Sequence, residues 1–82
     1  MLKVSVISPE AVLFEGETDS VVAPAYDGEV GILTNHAPLM ALLGEGQLRL
    51  GTGGGRRFNV SGGFMQVLNN QVRVVTEKAT AA

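Results

Sequence analysis

Leu2-Lys3-Val4-Ser5-Val6-Ile7 opens the chain with apolar residues at every second position, and Ser8-Pro9-Glu10 then breaks the run. A period of two sends successive side chains to opposite faces of an extended strand, so Leu2, Val4 and Val6 share one face. Proline has no backbone N–H to give to a ladder, which ends the strand there. The same alternation returns in Gln47-Leu48-Arg49-Leu50, in Phe58-Asn59-Val60 and in Gln71-Val72-Arg73-Val74-Val75-Thr76. Between these runs, turn-forming residues recur roughly every 8–12 positions, the rhythm of a sandwich or barrel.

The turns have specific chemistry. Val12-Leu13-Phe14 opens a second strand, in which Gly16 is the expected site of a bulge. Tyr26-Asp27-Gly28 is read as a tight hairpin turn joining Ser20-Val21-Val22-Ala23 to Glu29-Val30-Gly31-Ile32-Leu33. Gly44-Glu45-Gly46 precedes another strand, and Gly51–Gly55 is read as a mobile hairpin tip. Asn69-Asn70 suits a two-residue turn with positive φ at both positions. Leu39-Met40-Ala41-Leu42-Leu43 is short, follows a proline and is bounded by Gly44; it is read as a strand, with a helical turn as the lesser alternative. No segment keeps helical spacing over three turns. The expected fold is all-β, a two-sheet sandwich or flattened barrel of about ten short strands. One domain is expected over 1–77, with a frayed tail over 78–82.

Composition narrows the function. At 82 residues the chain holds one domain with a small core. It is 45% hydrophobic and 17% charged, which argues against disorder. It has no cysteine, so no disulfide or thiolate metal site supports the core. A net charge of −2, with basic residues scattered apart from Arg56-Arg57, is no footprint for nucleic acid. No apolar run approaches the about 20 residues that cross a bilayer, and the alternating start is no signal peptide. The expected location is cytoplasmic, with any membrane role exercised through a partner.

Catalysis needs a base, a nucleophile or a metal. The one histidine, His36, has neither cysteine nor a carboxylate at ligand spacing. It is read as a loop residue that hydrogen-bonds backbone or packs on a partner, in preference to a catalyst. Gly51-Thr52-Gly53-Gly54-Gly55 lacks the Lys-Ser/Thr of a phosphate loop and has no following helix. Gly62-Gly63 is read as a bulge or a place where another backbone comes close. No catalytic residue, metal or cofactor is assigned. Among the carboxylates, Glu29 stands out because it follows a hairpin tip, where a side chain is presented on a rigid scaffold.

One segment is more particular. Asp27-Gly28-Glu29-Val30-Gly31-Ile32-Leu33-Thr34-Asn35-His36-Ala37-Pro38-Leu39 closely resembles the signature of ATP synthase epsilon subunits, and Val60-Ser61-Gly62-Gly63-Phe64-Met65-Gln66-Val67 resembles a second stretch of the same family. Ser8-Pro9-Glu10 and Leu13-Phe14-Glu15-Gly16 fall in the family's order, so the match runs from about Leu2 to Glu77. The resemblance implies a ten-stranded sandwich at the foot of the rotor of a proton- or sodium-driven synthase. Such a domain would touch the gamma subunit and the c ring on the cytoplasmic side of a bacterial inner membrane. It implies a c-ring contact at Glu29 and gamma contacts at Ser8, His36, Leu39, Met40 and Ala41. For Leu39 and Met40, core and contact remain equal readings of the residues themselves. Many family members continue into two C-terminal helices. Here the chain stops at Ala82, so neither nucleotide binding nor inhibition through such a tail is expected. The competing reading is a free-standing β-sandwich interaction module.

Overall fold

The computed structural model describes residues 1–51 and 55–82. The expected glycine-rich hairpin tip falls on Thr52, Gly53 and Gly54, outside the described residues. Among the described residues every regular element is a strand: β1 Leu2–Ile7, β2 Val12–Thr18, β3 Ser20–Ala25, β4 Gly28–Leu33, β5 Leu39–Leu42, β6 Glu45–Leu50, β7 Arg56–Ser61, β8 Phe64–Leu68, β9 Gln71–Val75 and β10 Lys78–Ala81. They form two five-stranded sheets, β2-β1-β9-β8-β5 and β10-β7-β6-β3-β4. All pairings are antiparallel except β1 with β9. The all-β sandwich expected from the alternation is the fold observed.

The core follows from the same alternation. Leu2, Val4 and Val6 of β1, Met65 and Val67 of β8, and Val72 and Val74 of β9 are buried on the inner face of the first sheet. They meet Val21 and Ala23 of β3, Ile32 of β4, Leu48 and Leu50 of β6, and Phe58 and Val60 of β7. Two buried hydroxyls are satisfied locally. Thr18 Oγ1 donates to the Ser20 carbonyl (3.3 Å), and Thr76 Oγ1 to that of Lys78 (2.9 Å).

The two lateral openings of the sandwich are closed differently. On the β5 side an isolated bridge joins Ala25 to Leu43, and Tyr26 N–H donates to the Leu42 carbonyl (2.8 Å). On the β2 side the Phe14 and Phe58 rings meet at 6.5 Å, with the Arg56 guanidinium 5.3 Å from the Phe14 ring centre. Pro24 is tolerated inside β3 because the β3–β6 ladder covers Val21 and Val22 and stops short of it. Gly46 lies beneath that proline, where a Cβ would come within 2.7 Å of the Pro24 Cβ.

Three expectations need correction. The bulge in β2 is at Leu13, not Gly16: Val6 pairs with Phe14 and Ile7 with Val12, while Gly16 stays in register opposite Val4. The extra residue lets consecutive Leu13 and Phe14 both pack on the core. The tail expected to fray over 78–82 instead forms β10, which pairs with β7 from Lys78↔Ser61 to Ala81↔Phe58. An open β7 edge supplies the partner groups that local composition does not reveal. The hairpin strands also run further toward their turn than expected, with Ala25 opposite Gly28. By contrast, Asn69 and Asn70 do carry positive φ (51° and 60°), and Leu39–Leu42 is a strand.

Candidate surface for partner subunits

Strand register decides which side chains reach the outer surface. In β5, Leu39 pairs with Val67 and Ala41 with Met65, both inward-facing residues, so Leu39 and Ala41 turn toward the core. Both are half-buried, and Leu39 packs on the core cluster. Met40 and Leu42 point the other way and are 62% and 67% exposed. The two equal readings of Leu39 and Met40 therefore separate: the first is chiefly core, the second surface.

The outer face of the first sheet carries an apolar band. Leu42 pairs with Phe64, Phe64 with Val75, Val75 with Ile7, and Ile7 with Val12. These five residues form one row across all five strands, perpendicular to the strand direction. Val12 and Leu42 at its ends are exposed, while Ile7, Phe64 and Val75 are half-covered by their neighbours. The next row is polar in the middle, running Ser5, Arg73, Gln66, and ends on Met40. An outward apolar row of this length marks an interaction surface more often than a solvated face. The signal was available in the alternation: Ile7 and Val75 sit where the pattern calls for polar residues, and β5 is apolar on both faces.

The outer face of the second sheet is different in character. Val30 and Ile32 of β4 face inward, which turns Glu29 outward on this edge strand. Arg49 lies outward on β6 between buried Leu48 and Leu50. Its Nη2 donates to both Glu29 carboxylate oxygens, at 3.0 and 3.1 Å. The pair remains accessible, with side chains 35% (Arg49) and 55% (Glu29) exposed, so it contributes about 0.2–1 kcal/mol. Its geometry still matters, because it fixes where the carboxylate stands.

The other predicted positions are spread along the molecule. The row containing Ile7 and Leu42 lies at the same end as the Tyr26-Asp27 turn, through the Ala25–Leu43 bridge, and Ser8 lies just past it. Ser8 Oγ accepts from Ala11 N–H (3.3 Å) and caps the β1–β2 turn. His36 lies in the β4–β5 connection at the opposite end, three residues before Leu39 and next to Asn35, which bonds the Asn69-Asn70 turn. Its Nδ1 is 2.7 Å from the Ala37 carbonyl, and its N–H donates to Leu33 O (3.1 Å). These are the backbone contacts expected of a loop histidine. The structure thus brings His36, Leu39, Met40 and Ala41 together along one edge and leaves Ser8 apart. Among the described residues no group of three His, Asp or Glu is placed to hold a metal ion, and no helix is long and apolar enough to cross a membrane.

The molecule is a ten-stranded β-sandwich module with an apolar band on one outer face and an ion pair on the other. The chain belongs to the ATP synthase delta/epsilon chain β-sandwich domain family, which it matches over residues 1–82. It is 49% identical over 77 residues to an ATP synthase epsilon chain of Leptospira borgpetersenii, covering 93% of this chain and 61% of that one. It is 47% identical over 76 residues to the epsilon chain of Syntrophomonas wolfei, covering 90% and 56% respectively. The chain therefore spans about three fifths of the length of these relatives. The fold is shared with a chain in the Euglena gracilis mitochondrial ATP synthase structure "OSCP/F1/c-ring in rotational state 1" (TM-score 0.88, 23% identity, 98% of this chain and 52% of that one). It is also shared with one in the Tetrahymena thermophila structure of the central stalk and c ring (TM-score 0.78, 17% identity, 96% and 65%).

Proposed function

We propose that this chain is a non-catalytic coupling module in the rotor of a proton- or sodium-translocating ATP synthase, held between the gamma subunit and the c ring. Family membership and the relatives' names support the assembly. The observation that carries the mechanical reading is the apolar row Val12–Ile7–Val75–Phe64–Leu42 with Met40 beside it. A surface of this kind gains from burial against a second subunit at roughly 25 cal/mol per Å².

In this reading gamma covers the β5 edge and the adjoining outer face of the first sheet. Met40 contributes apolar area there, His36 lies in the adjoining loop, and Leu39 and Ala41 support the edge from within. Ser8 marks a second, separate point of contact with gamma at the far end. Glu29, held by Arg49 on the opposite sheet, faces the polar loops of the c ring. An exposed carboxylate adds register and specificity more than affinity. Two stiffly connected faces transmit torque because neither sheet moves without the other. The module works on the cytoplasmic side of a bacterial inner membrane and does no chemistry of its own.

Reconstituting the synthase with Glu29→Lys, or without this subunit, tests the reading. The expected result is ATP hydrolysis that outpaces ion pumping in both preparations. Unchanged coupling in both overturns the clamp.

A further inference from the structure

The β4–β5 connection leaves the edge of one sheet and enters the edge of the other within residues 34–38. Its turn is closed by His36 N–H donating to Leu33 O, with Asn35 at a positive φ of 66° in the third position. Type II turns call for positive φ there. Beyond the turn, the His36 Nδ1–Ala37 O contact (2.7 Å) is the local side-chain tie in the segment leading to β5.

A second tie comes from a distant part of the chain. Asn70, the second residue of the β8–β9 turn, presents its side-chain amide edge-on to Asn35. Its Oδ1 accepts the Asn35 backbone N–H at 2.6 Å, and its Nδ2 donates to the Asn35 Oδ1 at 3.1 Å. The Asn70 carbonyl also accepts from Lys3 N–H at 2.8 Å. One residue therefore ties the start of β1, the β8–β9 turn and the β4–β5 loop together. The turn alone does not demand asparagine at 70, since glycine adopts a φ of 60° as readily. The clasp does demand it, because an acceptor and a donor are needed side by side.

We infer that Asn70 is a positioning residue for partner binding: it holds the His36–Pro38 loop in the conformation that a partner meets. This rests on the reading that the β5 edge and its adjoining loop face the gamma subunit. A loop that samples other conformations binds in proportion to its competent fraction, so losing the clasp weakens binding without removing any contact atom.

The test compares the parent protein with Asn70→Gly, which keeps the turn and deletes both bonds, and Asn70→Asp, which keeps the acceptor and loses the donor. Hydrogen exchange reads the loop, and titration with purified gamma subunit reads affinity. Far-ultraviolet circular dichroism confirms the fold of each variant. A net hydrogen bond of ordinary strength corresponds to roughly three- to tenfold. Asn70→Gly, which loses two such bonds, is expected to speed exchange at Asn35 and His36 by roughly ten- to a hundredfold and to weaken gamma binding comparably, with Asn70→Asp between. Unchanged exchange at Asn35 and His36 overturns the clasp. Faster exchange with unchanged affinity overturns the positioning role. In that case Met40→Thr/Leu42→Thr shows whether the gamma reading stands: a loss of affinity there preserves it, and no loss removes it.

Discussion

Replacing both outward residues of β5, Met40→Thr and Leu42→Thr, separates stability from binding. Both side chains are more than three fifths exposed. Threonine suits a strand at either position, so the isolated protein should lose no more than about 0.5 kcal/mol per site. Binding should respond far more. Full burial of a leucine or methionine is worth about 1.5–3 kcal/mol, and roughly two thirds of each side chain is still available for a partner to cover. That leaves about 1–2 kcal/mol per residue, or about 2–4 for the pair, equivalent to a 30- to 700-fold rise in Kd. Thermal melts followed by circular dichroism check the first half, and calorimetric titration with gamma subunit the second. An affinity within threefold of the parent, with unchanged melts, refutes the assignment of this face.

Four further outcomes follow from the fold and the ion pair. Gly63→Ala places a Cβ against the Val75 carbonyl oxygen and within 2.7 Å of Thr76 Cα, at a φ of 99°. Overpacking against backbone should cost about 1–3 kcal/mol, a large share of the roughly 4–12 kcal/mol of a domain this size, and urea unfolding measures it. Gly31→Ala, with open space at its Cβ, should stay within about 0.5 kcal/mol. Deleting residues 78–82 removes β10 from β7 and should lower the melting temperature by several degrees; a frayed tail would leave it unchanged. A double-mutant cycle on Glu29 and Arg49 should give a coupling energy of about 0.2–1 kcal/mol that shrinks in high salt.

What could be read from the residues was what is local. Alternation in β1, β6, β7 and β9 sorted core from surface, and the amide side chains of Asn69-Asn70 announced a turn with left-handed backbone. Glu29 stands out from its place after a hairpin tip, and the Met40 edge from a motif, without any knowledge of register. What escaped depends on partners distant in the chain. Lys78–Ala81 is a strand because β7 offers it an edge, and alanine-rich composition carries no trace of that. The bulge falls at Leu13 because the pairing of Val6 and Ile7 with β2 shifts there, a property of two strands together. The apolar band spans five strands, including the parallel neighbours β1 and β9, so its members look like isolated exceptions until the sheet order is known. The Glu29–Arg49 and Asn35–Asn70 contacts join residues 20 and 35 positions apart, beyond the reach of any local pattern.

Hydrogen-exchange footprinting of the protein free and bound to gamma subunit reports on the grip itself. Slowed exchange in β5, and in the strand segments around Phe64 and Val75, is the predicted pattern, with β4 and β6 near Glu29 and Arg49 unaffected until the c ring is added. Protection confined to the outer face of the second sheet, or none on either face, would contradict the account.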